Sequence, residues 1–263
     1  MKITRRIFIC LIFVLTIVVG FGCKGKSNKS TRQTIEFKFP KSKIWAHRAN
    51  DTLVAQIKKE LFAGLEVDIW YSEYQDKIFV AHDLEDTLKN ITLEQWFASL
   101  DNPNDCYYWI DAKNLSVGKA VDVIPSTVVS LLKRFKIDTN KVLIEHMSYK
   151  SLMRVKEYGL NVLLWSDWFK GSNAEDTLLW IEDTKRKIAE LNPVAISCSQ
   201  RSHPTWTNAF PEMNILYWNT NMSIGYEKNL ALAEELINIP NVKVVLVRYD
   251  EPPKFEKTKN NTN

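Results

Sequence analysis

Four short segments of the sequence end in residues of the kind that hold a metal ion and move protons. Ile-Trp-Ala-His-Arg-Ala-Asn carries His47, Arg48 and Asn50, Gly-Leu-Glu-Val-Asp-Ile-Trp carries Glu66 and Asp68, and Phe-Val-Ala-His-Asp ends on His82 and Asp83. The fourth, Tyr-Tyr-Trp-Ile-Asp-Ala-Lys, supplies Asp111 and Lys113. Side chains two apart on a strand point to one face, so Glu66 stands beside Asp68, and Asp111 beside Lys113. Three carboxylates converging on one point repel unless a cation sits among them. Oxygen-only ligation selects a hard divalent ion, Mg²⁺ or Ca²⁺, rather than zinc. Two histidines flanking such an ion suit general acid and base work near neutral pH.

The elements that must position these residues alternate between strand and helix. Strand patterns are expected at 43–46, 65–70, 107–111, 142–145, 161–165, 194–197, 214–218 and 242–248, with a short extra strand at 78–81 that returns His82 to the rim. Helical patterns are expected at 52–63, 93–100, 126–135, 148–158, 174–191 and 227–239. Asp51 and Ser148 sit where helix caps belong, while Gly159 and the pair Pro240 and Asn241 act as stops. Alternation of this length predicts an α/β fold, a (β/α)₈ TIM barrel in one domain over 43–252. In that fold, ionisable residues at strand carboxyl ends read as a site.

The chain of 263 residues is 45% hydrophobic and 25% charged, ordinary globular values. Lys2, Arg5 and Arg6 precede an apolar run over 7–22 that closes on Cys23. This resembles a bacterial lipoprotein signal, which implies a leader at 1–22, a lipidated Cys23 and a location in the cell envelope, held to a membrane by a lipid anchor on the periplasmic or outer face. Residues 23–42 then read as a polar tether and 253–263 as a polar tail. Removing the leader brings the formal +4 to about +1, so no nucleic-acid partner is expected. Of the four cysteines, Cys106 and Cys198 remain for the domain, at opposite ends of a parallel barrel, and no disulfide is expected between them.

The order His-Arg, Glu-x-Asp, His-Asp, then acidic-x-Lys resembles the phospholipase C-like phosphodiesterase superfamily, best known through the glycerophosphodiester phosphodiesterases. Leu-Tyr-Trp-Asn-Thr-Asn at 216–221 and Arg-Tyr-Asp-Glu-Pro at 248–252 are similar to that group's last two strand endings. The resemblance implies Glu66, Asp68 and Asp111 as ligands of one divalent cation, His47 and His82 as the acid/base pair, Arg48 and Lys113 on the phosphate, and Trp218 beside the substrate. Ala49 stands where those enzymes carry Gly, and Asp111 where they carry Glu. His-x-x-Asn at His47 to Asn50, with Asp-x-Lys at 111–113, is similar to sphingomyelinase D-type and menorin-family domains. The span between His82 and Asp111 is too short for the usual inserted subdomain.

The implied activity is metal-dependent cleavage of a lipid-derived or glycerol-type phosphodiester, with a small phosphodiester or a phospholipid as partner. A different class of function is a membrane-tethered barrel that binds such a ligand without turnover. The full set of site residues favours the enzyme. A carbohydrate-cleaving barrel with paired carboxylates is disfavoured, because Glu66 and Asp68 share one strand with Lys113 facing them. Glu145, His146, Trp165, Asp167, Trp168, Arg201, His203 and Trp206 are weaker candidates for the pocket wall.

Overall fold

The computed structural model describes residues 37–88, 91–166, 174–218 and 225–249. The leader, Cys23, the tail, Asp167, Trp168 and the segments 219–221 and 250–252 lie outside them. Its elements run β1 (Ile44–His47), α1 (Thr52–Leu61), β2 (Gly64–Ser72), β3 (Lys77–Val80), α2 (Leu93–Ala98), β4 (Tyr107–Ala112), α3 (Ala120–Arg134) and β5 (Val142–His146). They continue α4 (Tyr149–Glu157), β6 (Asn161–Trp165), α5 (Ala174–Leu191), β7 (Ala195–Ser199), α6 (Thr205–Ala209), β8 (Ile215–Trp218), α7 (Tyr226–Leu236) and β9 (Val242–Arg248). Eight strands pair in parallel, and β1 meets both β2 and β9, so the sheet closes into the expected (β/α)₈ barrel. β3 stands outside the ring, antiparallel on β2, with Ile69 opposite Val80 and Trp70 opposite Phe79.

Strand alternation divides the buried residues between two cores. Trp45, Trp109, Leu143, Leu163, Ala195, Leu216, Val244 and Leu246 fill the barrel, while Leu65, Val67, Tyr108, Ile110 and Ile144 face the helices. Gly64 belongs to the first set for a steric reason: a Cβ there would lie 2.2 Å from the Trp45 ring. Phe37 packs edge-on against Tyr107 at the start of β4 and joins the inner core, 7% exposed. The stretch expected to be tether up to residue 42 therefore contributes its last residues to the fold. An aromatic side chain at the barrel's amino-terminal end removes apolar surface from water, which the polar composition of the preceding segment does not foretell.

Two helical expectations shift. α3 begins at Ala120, six residues before the expected start, and contains Pro125. Proline lacks the donor for the carbonyl four residues back, which argues for a start after it. Burial of Ala120, Ile124 and Pro125 against the barrel outweighs that loss, so the helix runs through. The short helix α6 was not expected. Its Trp206 is buried in the outer core, away from the cavity described below. Cys106 and Cys198 are both buried, and no disulfide joins them.

Candidate functional site

At the carboxyl ends of the strands lies a cavity of about 510 Å³. His47, Arg48, Glu66, Asp68, His82, Asp111, Lys113 and Trp218 all line it, from β1, β2, β4 and β8 and from the segments that follow β1, β3 and β4. Residues far apart in sequence are thus brought to one point by the register of neighbouring strands, with Asp68 level with Asp111 and Asp111 level with Glu145. One carboxylate oxygen from each of Glu66, Asp68 and Asp111 lies within 4.8 Å of the others. At that separation a pair of charges repels by about 3 kcal/mol at an effective dielectric of 20.

Each acid answers that repulsion differently. Burial pushes the Glu66 carboxyl well above the usual range, and the Asp68 and Asp111 charges add to it. Burial also raises Asp111, although the Lys113 charge works against it. For Asp68 the desolvation is outweighed by Lys113 and Asn50, and its carboxyl is held below the ordinary value. The Lys113 ammonium sits 2.7 Å from Asp68 Oδ1 and 2.5 Å from Asp111 Oδ2. Burial opposes its charge, but the Asp111 and Asp68 carboxylates keep it protonated above its usual range. The donor set, three clustered carboxylates with one partly neutralising lysine, fits a hard divalent cation.

Asn50 is not among the residues that line the cavity. Its side chain bonds to β2: Nδ2 donates to Asp68 Oδ2 at 2.8 Å, and Oδ1 accepts from the Asp68 backbone N–H at 3.0 Å. These two bonds orient Asp68, and each polar atom of Asn50 keeps one further hydrogen-bonding position. Just before it, Arg48 adopts a left-handed backbone, φ 52°, and its N–H donates to Glu66 Oε2 at 2.6 Å.

The two histidines sit in unlike surroundings. His47 Nε2 lies 3.7 Å from Glu66 Oε2, and its buried Nδ1 has no partner among the described residues. Burial holds the His47 ring neutral, its pKa pushed down to about 3. His82 is at the mouth, its side chain 39% exposed, with Nδ1 2.9 Å from Asp83 Oδ2.

Trp70, Trp109, Trp165, Trp218 and Met147 supply the apolar wall. Trp70 and Trp109 were not singled out in the sequence, although each stands two residues from a site carboxylate on the same face of its strand. Glu145 and His146 also line the cavity, whereas Arg201, His203 and Trp206 do not. Glu145 is fully tied: Oε2 accepts from Trp109 Nε1 at 2.9 Å, and Oε1 accepts from the Ser197 hydroxyl. Burial, with the Asp111 charge, pushes its carboxyl up to about 8.

No family model matches the sequence, and no curated protein matches it as a relative. Solved structures do match. A glycerophosphodiester phosphodiesterase from Parabacteroides distasonis superposes with a TM-score of 0.57 at 16% identity, covering 80% of this chain and 93% of that one. A phosphodiesterase from Oleispira antarctica, solved with its product sn-glycerol-3-phosphate, gives a TM-score of 0.57 at 12% identity, covering 79% of this chain and 92% of that one. The fold is that of the glycerophosphodiester phosphodiesterases. At such identities the likeness speaks for the barrel, and the chemistry has to be argued from this chain's own residues.

Proposed function

We propose that the protein is a phosphoric diester hydrolase or lyase that uses a divalent cation and cleaves a lipid-derived or glycerol-type phosphodiester. The observation that carries this reading is the meeting of three carboxylates, two histidines, Arg48 and Lys113 on one cavity at the carboxyl end of the barrel. Glu66, Asp68 and Asp111 would hold Mg²⁺ or Ca²⁺, which when bound supplies positive charge to offset the charge that develops on a phosphate oxygen.

The chain's own groups do the rest. Lys113 and Arg48 bind the remaining phosphate oxygens and orient the ester, and Lys113 is suited to this because its neighbours keep it charged. One of His47 and His82 takes the proton of the attacking hydroxyl or water. The other gives a proton to the leaving oxygen. Asp83, bonded to His82 Nδ1, fixes the orientation of that ring and leaves Nε2 for the exchange. Trp218, Trp165 and Trp70 wall the site against water and accept the apolar part of the substrate. A glycerol-type substrate accords with the product held by the Oleispira antarctica structure. A lipid-derived one accords with the apolar leader that ends at Cys23, which we read as a lipid anchor in the cell envelope.

Phosphorus NMR of the full chain in detergent tests this, with glycerophosphodiesters, lysophospholipids and sphingolipids as candidates. Turnover that stops on chelation and in His47→Ala is expected, and the product's shift separates a cyclic from a linear phosphate. Folded protein that turns over none of them with Mg²⁺, Ca²⁺ or Mn²⁺ refutes the enzyme and leaves a tethered binding module.

A further inference from the structure

The turn that carries His47 and Arg48 is gripped from behind by a lysine on α1. Lys58 is 2% exposed, and of this helix only Ala55 and Lys58 are buried. A lysine so deep in a protein is rare, because its ammonium must find partners that replace water. Lys58 Nζ donates to the His47 carbonyl at 2.7 Å and to the Arg48 carbonyl at 3.0 Å. The small Ala55 one turn earlier lets α1 lie close enough to the barrel for that reach.

Two adjacent carbonyls rarely converge on one donor. Along a strand, successive peptide groups point to opposite sides, so a single ammonium meets both only where the chain leaves the extended form. Here it leaves at Arg48, whose φ of 52° is costly for a residue with a Cβ. The next carbonyl, that of Ala49, accepts from Trp96 Nε1 at 2.8 Å. The opposite edge of the turn is bonded to β2: Arg48 N–H to Glu66 Oε2 at 2.6 Å and Ala49 N–H to the Glu66 carbonyl at 2.8 Å. One side of the turn therefore faces the metal-ligand strand, and the other is held by Lys58 and Trp96.

We infer that Lys58 is a positioning residue: by binding the His47 and Arg48 carbonyls it holds the left-handed turn that sets the His47 ring and the Arg48 N–H against Glu66. Its catalytic consequence rests on the phosphodiesterase reading of the cavity, but the positioning itself does not. Lys58 does not line the cavity, and the proposed positioning runs through the two backbone carbonyls that it binds.

Amide hydrogen exchange on the full chain, followed by NMR, tests the inference without any substrate. In Lys58→Met the Arg48 amide is expected to exchange about 100-fold faster, while the Val67 amide in β2 stays within about threefold of its original rate. Lys58→Arg, which keeps a buried cationic donor, is expected to recover most of that protection. Where the wild type shows turnover, Lys58→Met is expected to lower kcat about 100-fold with KM changed less than about threefold, the mark of a misplaced group and not of lost binding. An unchanged Arg48 amide overturns the inference, and so does equal acceleration at Arg48 and Val67, which means general loosening. Should Lys58→Met fail to fold, scalar couplings between the wild-type Lys58 nitrogen and the His47 and Arg48 carbonyl carbons decide. Their presence supports the grip and their absence overturns it. A wild type with no turnover counts against the proposed function alone, because the exchange result stands by itself.

Discussion

Replacing Gly64 by alanine adds a single methyl group at a crowded point of the barrel interior. Its Cβ would lie 2.2, 2.4 and 2.6 Å from three atoms of the Trp45 ring, where ordinary contacts begin beyond about 3.4 Å. The ring cannot step aside easily: it is fully buried, and Tyr107 lies across it with ring centroids 5.7 Å apart. Overpacking a tight core costs about 1 to 3 kcal/mol, and displacement of a whole indole places Gly64→Ala at the upper end, about 3 kcal/mol. That is roughly a 150-fold loss in the folding equilibrium constant. Urea unfolding followed by far-ultraviolet circular dichroism measures it. Adding Trp45→Leu should relieve the clash, so the double variant should be at least about 1 kcal/mol more stable than the two single effects predict. A loss below about 0.5 kcal/mol for Gly64→Ala, or simple additivity of the pair, refutes the steric account. Trp45 stands two residues before His47 on β1, so the same displacement should reach the cavity and lower turnover in the fraction that remains folded.

Three further outcomes can be checked. Glu66→Gln keeps the shape of the carboxyl but removes its charge, and calorimetric titration with Mg²⁺ or Ca²⁺ should show an affinity at least about 10-fold weaker, while Glu60→Gln on the exposed end of α1 should leave it unchanged. His146 is buried, its Nδ1 accepts from the Ser148 N–H at 2.8 Å, and burial pushes its pKa down from 6.5 to about 4. Between those values the unfolded chain binds a proton at His146 that the folded one does not, so the contribution of His146 to stability should fall as pH drops from about 6.5 toward 4, by about 3 kcal/mol at most; the raised Glu145 and Glu66 carboxyls slope the other way, so the difference between wild-type and His146→Gln unfolding curves across that window measures it. Asn50→Ala leaves the Asp68 N–H without its partner and releases the Asp68 carboxylate, so it should destabilise the fold by about 1 to 2 kcal/mol in urea and also weaken cation binding.

Most of the site could be read in the sequence because it lies on strands and at their ends, where spacing translates directly into direction. Glu66 with Asp68, and Asp111 with Lys113, needed only the two-residue repeat. Parity was harder to read. Tyr107 to Ile110 is apolar on both faces, so those four residues by themselves do not say that Trp109 turns into the barrel and Tyr108 toward the helices. The charged residue at Asp111 fixes that parity, and with it Trp109 and, from β2, Trp70. The bonds of Asn50 to Asp68 could not be read locally, because that partner lies on another strand. Lys58 gave no signal at all: in a helix pattern it looks like any solvated lysine, and only the turn it meets in space explains its burial. The early start of α3 was hidden by Pro125, whose unfavourable backbone effect is local while the compensating contacts are not.

The small strand β3 has a consequence for how this barrel tolerates change. Its hydrogen bonds to β2, continued by the Ala81 N–H to the Asp68 carbonyl at 3.0 Å, index His82 to the very strand that bears Glu66 and Asp68. The connecting turn, with Tyr74 almost wholly exposed, takes no part in that indexing. Insertions at the turn tip would lengthen a loop without altering the reach between histidine and carboxylates, whereas a one-residue slip in the β2 and β3 pairing would rotate His82 to the other face. Evolution and engineering thus find at this rim a place for new substrate contacts whose length is uncoupled from the chemistry beneath it.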